Sequence, residues 1–154
     1  MMCKTCWSIA ALLALLSAGV IYKFGFQGSV SPGTDGRTAI LLEPGERDLV
    51  LSEMRVFLES TQQITAGIAG NDMPRAAQHA RRSGRAAQQA VPGSLMGKLP
   101  LSFKQLGLDT HTKFDELALD AEQLGDQDHT LSQLNTLLQN CVACHAAYRI
   151  ELAQ

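Results

Sequence analysis

Four segments of the chain carry apolar residues at every third and fourth position, the spacing of a buried helix face. They cover residues 46–70, 72–91, 101–124 and 130 onward. We find no alternation of apolar and polar residues typical of strands. Four helices of about five turns with short connections predict an all-α fold, an up-down-up-down four-helix bundle over residues 46–154.

The second and fourth segments carry further helix signals. Asp72 and Pro74 predict the start of the second helix, and Pro92 with Gly93 its end. Thr130 and Gln133 have the spacing of a capping box and predict the start of the fourth helix, which we expect to continue through Tyr148.

A different pattern precedes the predicted bundle, because the run Cys6–Tyr22 contains no charged residue. Its length is at the lower limit of about 17 residues for a membrane-spanning helix and exceeds the usual apolar core of a signal peptide. Length therefore favours a retained anchor over residues 1–23. Ser17-Ala18-Gly19 keeps cleavage as the alternative. A retained anchor predicts a single-pass membrane protein, but one lysine on each flank, Lys4 and Lys23, gives no strong positive-inside bias. We expect the inner membrane, with the folded domain in the periplasm.

Residues 24–45 contain five glycines, Pro32 and Pro44. This composition predicts a tether, with one short ordered patch at Ile40–Leu42. The tether would hold the folded domain clear of the lipid.

Composition excludes some classes of function. The formal net charge is -2, and no long run of one sign is present, so nothing indicates nucleic-acid binding.

Cys3 and Cys6 form a Cys-x-x-Cys spacing without a following histidine, and we expect them as thiols at the membrane face.

The chemistry is concentrated in Cys141, Cys144 and His145. Structural zinc needs four ligands, and no second ligand pair with suitable spacing follows or precedes. A redox dithiol is favoured at a helix N-terminus in an α/β fold, whereas this motif lies late in a predicted helix. Covalent c-type haem attachment uses both thiols and the adjacent imidazole, and we favour one haem c over inert cysteines.

This pattern, continued by Tyr148 and Arg149, resembles the cytochrome c′ family, the class II c-type cytochromes. The resemblance covers about residues 46–152 and is strongest in the motif. It implies that the haem is attached to the last helix, that His145 is the fifth iron ligand, and that Arg149 lies beside the haem. Relatives often dimerise through their first two helices, so a homodimer is compatible with it.

The sequence leaves three outcomes for the sixth ligand of the iron. Met54 stands sixteen residues before Gly70, about where the family has its distal residue, and in some relatives that residue is a ligating methionine. Met96 is the alternative, in the connection after the second helix. Core packing of Met54, in phase with Phe57 and Ile64, leaves the iron five-coordinate.

The resulting functional hypothesis is single-electron transfer between redox partner proteins of a respiratory chain, at the outer face of the inner membrane. Two alternatives are a five-coordinate haem protein that binds or senses nitric oxide or carbon monoxide, and an accessory haem subunit of a membrane complex. No nucleophile, base or second cofactor site is identifiable, so we assign no catalytic residue and do not expect an enzyme.

Overall fold

The computed structural model describes residues 4–153 and is mostly helical, with a small sheet. The helices are α1 (Lys4–Ile21), α2 (Pro44–Ala69), α3 (Met73–Arg82), α4 (Gly93–Lys98), α5 (Leu101–Gln123) and α6 (Gln127–Ala147), and the strands are β1 (Val30–Pro32), β2 (Thr38–Leu42) and β3 (Tyr148–Leu152). A π-helical turn (Tyr22–Gln27) extends α1, and a 3-10 helix (Arg85–Ala90) precedes α4. Cys3, expected at the membrane face, lies outside the described residues.

One helical segment of the described chain, Thr5–Gln27, is long and apolar enough to cross a membrane, by criteria of length and composition that a signal sequence also meets. Every described side chain of α1 is exposed to solvent. The apolar surface of this helix is therefore not covered by the rest of the chain.

The four segments with helical apolar spacing contain helices α2, α3, α5 and α6, and each of these helices packs against the next along the chain. Helix α2 contacts α3, α3 contacts α5, α5 contacts α6, and α6 contacts α2. Their shared core contains Ile64, Ala80, Phe114, Leu117 and Leu137, all fully buried. The helices predicted over residues 46–70 and 101–124 are confirmed as α2 and α5.

The second predicted helix ends earlier than expected. Residues 72–91 were predicted as one helix, but α3 ends at Arg82 and a turn at Ser83 and Gly84 leads into the 3-10 helix. The Asp115 carboxylate accepts the Arg85 backbone N–H at 2.9 Å and lies where a Cβ on Gly84 would collide with it. The Arg85 N–H thus bonds to a side-chain oxygen instead of a backbone carbonyl of α3, and the helix does not continue past Arg82.

The expectation of no strands is wrong. Strand β1 pairs antiparallel with β2, and β2 pairs parallel with β3, with Thr38 opposite Tyr148. Ile40 and Leu42 are fully buried and pack with Leu95 and Leu99 in a second apolar cluster. The ordered patch expected at Ile40–Leu42 lies in β2, but order within the predicted tether of residues 24–45 extends further, because β1 and the rest of β2 also belong to the sheet.

Both ends of α6 differ from expectation. The Asp126 side chain accepts the His129 N–H at 2.9 Å and caps the helix, so α6 begins before the predicted capping box. The Thr130 hydroxyl is buried and donates to the Asp126 carbonyl at 2.7 Å. At the other end α6 stops at Ala147, because Tyr148 begins β3.

A side chain from the first part of the chain caps the C-terminal end of α6. Arg37 Nη1 donates to the carbonyl oxygens of His145 at 3.2 Å and Tyr148 at 3.3 Å. Asp35 Oδ2 accepts from Arg37 Nε at 2.8 Å and Nη2 at 2.6 Å. These hydrogen bonds from Arg37 lower the pKa of Asp35 from 3.8 to about 2. A cation at this end of a helix is favourable to its dipole.

Gly67 is the point of closest approach between α2 and α3, and it supplies the first prediction. A Cβ there would lie 2.8 Å from the Asp72 carbonyl oxygen and 2.9 Å from the Ala76 nitrogen. We expect Gly67→Ala to lower the free energy of unfolding by about 1–3 kcal/mol, as overpacking does. Gly107→Ala, compared in the chain without haem, is the control, since that helical position faces the open cavity and should gain about 0.5–1 kcal/mol. Equal effects of the two variants in chemical denaturation would contradict this assignment.

The cap predicts a pH dependence. Because the pKa of Asp35 is lowered by folding, its carboxylate stabilises the fold above about pH 4, and this contribution disappears as the pH falls through about 2. Asp35→Asn should therefore be less stable than wild type at neutral pH, and the difference should vanish in acid. Unfolding midpoints measured from pH 7 to pH 2 test this, with Asp48→Asn on the exposed surface of α2 as control. A difference that persists unchanged at pH 2 would exclude a charge effect.

Candidate functional site

A cavity of about 910 Å³ lies between one end of the packed helices and the α4 segment. This is within the range of about 300–1,000 Å³ typical of cofactor and ligand sites. Its wall contains mainly apolar side chains. They come from residues 49–58 of α2, the turn after α3, Leu95 and Met96 of α4, residues 103–111 of α5 and residues 138–145 of α6.

Cys141, Cys144 and His145, predicted to work together, all line this cavity. Cys141 and Cys144 are one helical turn apart and therefore share a face of α6. Both thiols are half-buried, and burial raises the pKa of each; the nearby Cys141 raises that of Cys144 further. They are accordingly protonated thiols near neutral pH.

His145 lies at the rim of the cavity, and its side chain is exposed. Its backbone carbonyl is held by Arg37. Among residues 4–153 no hydrogen-bond partner of its imidazole is found, so both ring nitrogens are available to a ligand.

The two candidate methionines also reach the cavity, from different walls. Met54 is half-buried on α2, and Met96 is half-buried on α4 and packs against the second apolar cluster. Met96 was expected in an irregular connection, whereas it lies in a short helix. Both remain candidates for a sixth ligand.

Arg149 is placed elsewhere. It lies in β3, not on α6, and does not belong to the residues that line the cavity. Its guanidinium donates to Thr34 at 3.1 Å and pairs with Glu151 at 2.9 Å and Asp35 at 3.4 Å. The structure thus gives this arginine a role in holding β3 to the turn before β2.

His111 is a cavity residue whose importance the sequence did not indicate. Its side chain is 2% exposed. Nδ1 lies 2.7 Å from the Ser83 carbonyl oxygen, which requires the proton on Nδ1, and Nε2 lies 3.4 Å from Glu53. Burial opposes the charged form, but the hydrogen bonds to Glu53 and Ser83 outweigh it and raise the pKa of His111. Its sequence signal is its place early in the third predicted helix, which an up-down-up-down bundle brings to the same end as the motif.

Lys104 was also missed. It lines the cavity, and its ammonium group donates to the carbonyl oxygens of Phe24 at 3.1 Å and Gly25 at 3.3 Å. A single lysine on a helix surface gives no sequence signal for such a contact.

Within residues 4–153, no group of three or more histidine, cysteine, aspartate or glutamate side chains is arranged to hold a metal ion. In comparisons with known proteins, no family model, no curated protein and no solved structure matches the chain.

Proposed function

We propose that this protein is a c-type cytochrome that carries one covalently bound haem c and transfers single electrons. The observation that carries the proposal is that Cys141, Cys144 and His145 line one large apolar cavity. A chance Cys-x-x-Cys-His sequence has no reason to face a space of cofactor size.

The residues present fit a haem group. Cys141 and Cys144 would hold it through two thioether bonds, and the imidazole of His145 would supply a nitrogen ligand to its iron. The apolar wall would exclude water from the porphyrin faces. When bound, haem supplies a one-electron couple at its iron, and the protein holds the group and determines its surroundings.

We further propose that α2, α3, α5 and α6 form an up-down-up-down four-helix bundle of the cytochrome c′ type. The successive contacts between these helices support this topology. In such a bundle the end of α6 meets the start of α2, the end of α3 and the start of α5. The cavity lies among those ends.

Met54 is our first choice for the sixth ligand, with Met96 second. Both reach the cavity, and a methionine ligand raises the reduction potential. Arg149 is omitted from this site because it pairs with Asp35 and Glu151. With the N-terminal helix retained, the haem domain would act in the periplasm, at the outer face of the inner membrane, with redox partner proteins of a respiratory chain.

The covalent bond is tested by mass. Chain produced together with a haem-attachment system should carry one haem that acid-acetone does not extract. Cys141→Ala and Cys144→Ala should each weaken or lose attachment, whereas Cys6→Ser, as control, should retain the full added mass. An unmodified mass for the wild-type chain would overturn the proposal.

The distal ligand is tested by optical spectroscopy. With Met54 on the iron, the ferric protein should show the weak long-wavelength band of methionine–iron bonding, and the ferrous protein should be low-spin. Met54→Ala should abolish this band and open the iron to carbon monoxide, while Met96→Ala should change neither. The opposite result would assign Met96. A wild-type protein that is high-spin and binds carbon monoxide would favour gas binding over electron transfer.

A further inference from the structure

The chain passes from α1 and its π-helical turn into the folded domain without an intervening linker. The span Thr5–Gln27 includes the π-helical turn, and Gly28 follows it directly with a φ of 71°. The Gly28 N–H donates back to the Lys23 carbonyl at 2.9 Å, and the Ser29 N–H donates to the Lys98 carbonyl at 2.7 Å. A Cβ on Gly28 would collide with the backbone of Lys98, so the chain passes against α4.

The π-helical turn itself is held between α4 and α5. Lys104 of α5 donates to the Phe24 and Gly25 carbonyls, which have no helical partner because they lie in the last turn of the helix. The Phe24 ring lies 3.4 Å from the position of a Cβ on Gly97, so it packs against α4 at this point. Such short π-helical segments are rare and usually have a local reason.

One of these contact residues also belongs to the cavity wall. Lys104 lines the cavity, and so does Met96, the neighbour of Gly97. The Lys104 side chain therefore contacts the end of the apolar span and also lines the proposed haem site.

The exposed side chains of the turn have the composition of a membrane interface. Tyr22, Phe24 and Phe26 are 62%, 58% and 52% exposed, and Lys23 lies among them. Aromatic residues and lysines are enriched where a span leaves the hydrocarbon core. Trp7 stands at the opposite end of the span, 65% exposed.

From these contacts we propose that the face formed by α4 and the first turns of α5 rests on the surface of the bilayer. The occupant of this face is the headgroup layer of the membrane that α1 spans, and the cavity wall lies at that level. This inference rests on the retained anchor of the proposed function. It replaces the expected flexible tether by a rigid connection that fixes the height and orientation of the haem site.

The test measures depth in lipid nanodiscs with the full-length holoprotein. In a Cys3→Ser, Cys6→Ser background, a nitroxide is attached at Leu101→Cys or at Leu124→Cys, and its collisions with oxygen and with a water-soluble nickel chelate are compared. Leu101 lies one turn before Lys104, and Leu124 lies about 35 Å farther along the axis of α5. We expect the ratio of oxygen to nickel collisions to be several-fold higher at residue 101.

A matched control inserts a flexible glycine-serine segment between Gln27 and Gly28. It keeps the anchor but removes the rigid connection, so residue 101 should then resemble residue 124. Equal, water-exposed values at both positions in the uninserted chain would overturn the proposal, and so would a mature protein that lacks α1. Both results leave covalent haem untouched. Labelling of Cys141 or Cys144 would instead show that haem is not attached, and the depth contrast would then be measured with both changed to alanine.

Discussion

The parallel pairing of β2 with β3 determines where α6 ends, and the candidate site depends on that position. Strand β3 begins at the residue after α6, so its register against β2 fixes the last helical turn. Arg37 holds the carbonyl of His145 although the two residues are 108 positions apart. The motif residues are therefore positioned by a part of the chain that no local pattern would connect with them.

A second constraint is the turn at Ser83, around which the cavity wall is built. Its hydroxyl donates to the Ser60 hydroxyl at 2.8 Å, and its carbonyl accepts from His111 at 2.7 Å. Both polar groups are buried, and each has a partner, as stability requires. After this turn the chain bends around the cavity, where Ala87, Val91 and Leu95 line the wall. One continuous helix over residues 72–91 would not make that bend.

Long periodic segments could be predicted from the sequence, and short or non-local elements could not. Helices α2 and α5 and the apolar span α1 follow from repeated local spacing. The strands have only three to five residues, and β3, the parallel partner of β2, lies at the far end of the described chain. The motif cysteines, His145 and both methionines, selected from the sequence as candidate haem residues, all line the cavity. Arg149 does not line the cavity. A residue four positions after His145 would lie on the same helix face only if the helix continued, and α6 ends at Ala147.

The β2–β3 pairing also has a kinetic consequence for maturation. The two strands are far apart in sequence, so their pairing must close a long loop, and non-local contacts of this kind slow folding. Until β3 reaches β2, Arg37 does not hold the end of α6, and the last turn with both thiols is free to fray. In the proposed cytochrome, an attachment enzyme would meet these thiols before the sheet closes, and closure would then hold the modified turn in place. Strand pairing would thus act as the last step of biogenesis, after the covalent chemistry is complete.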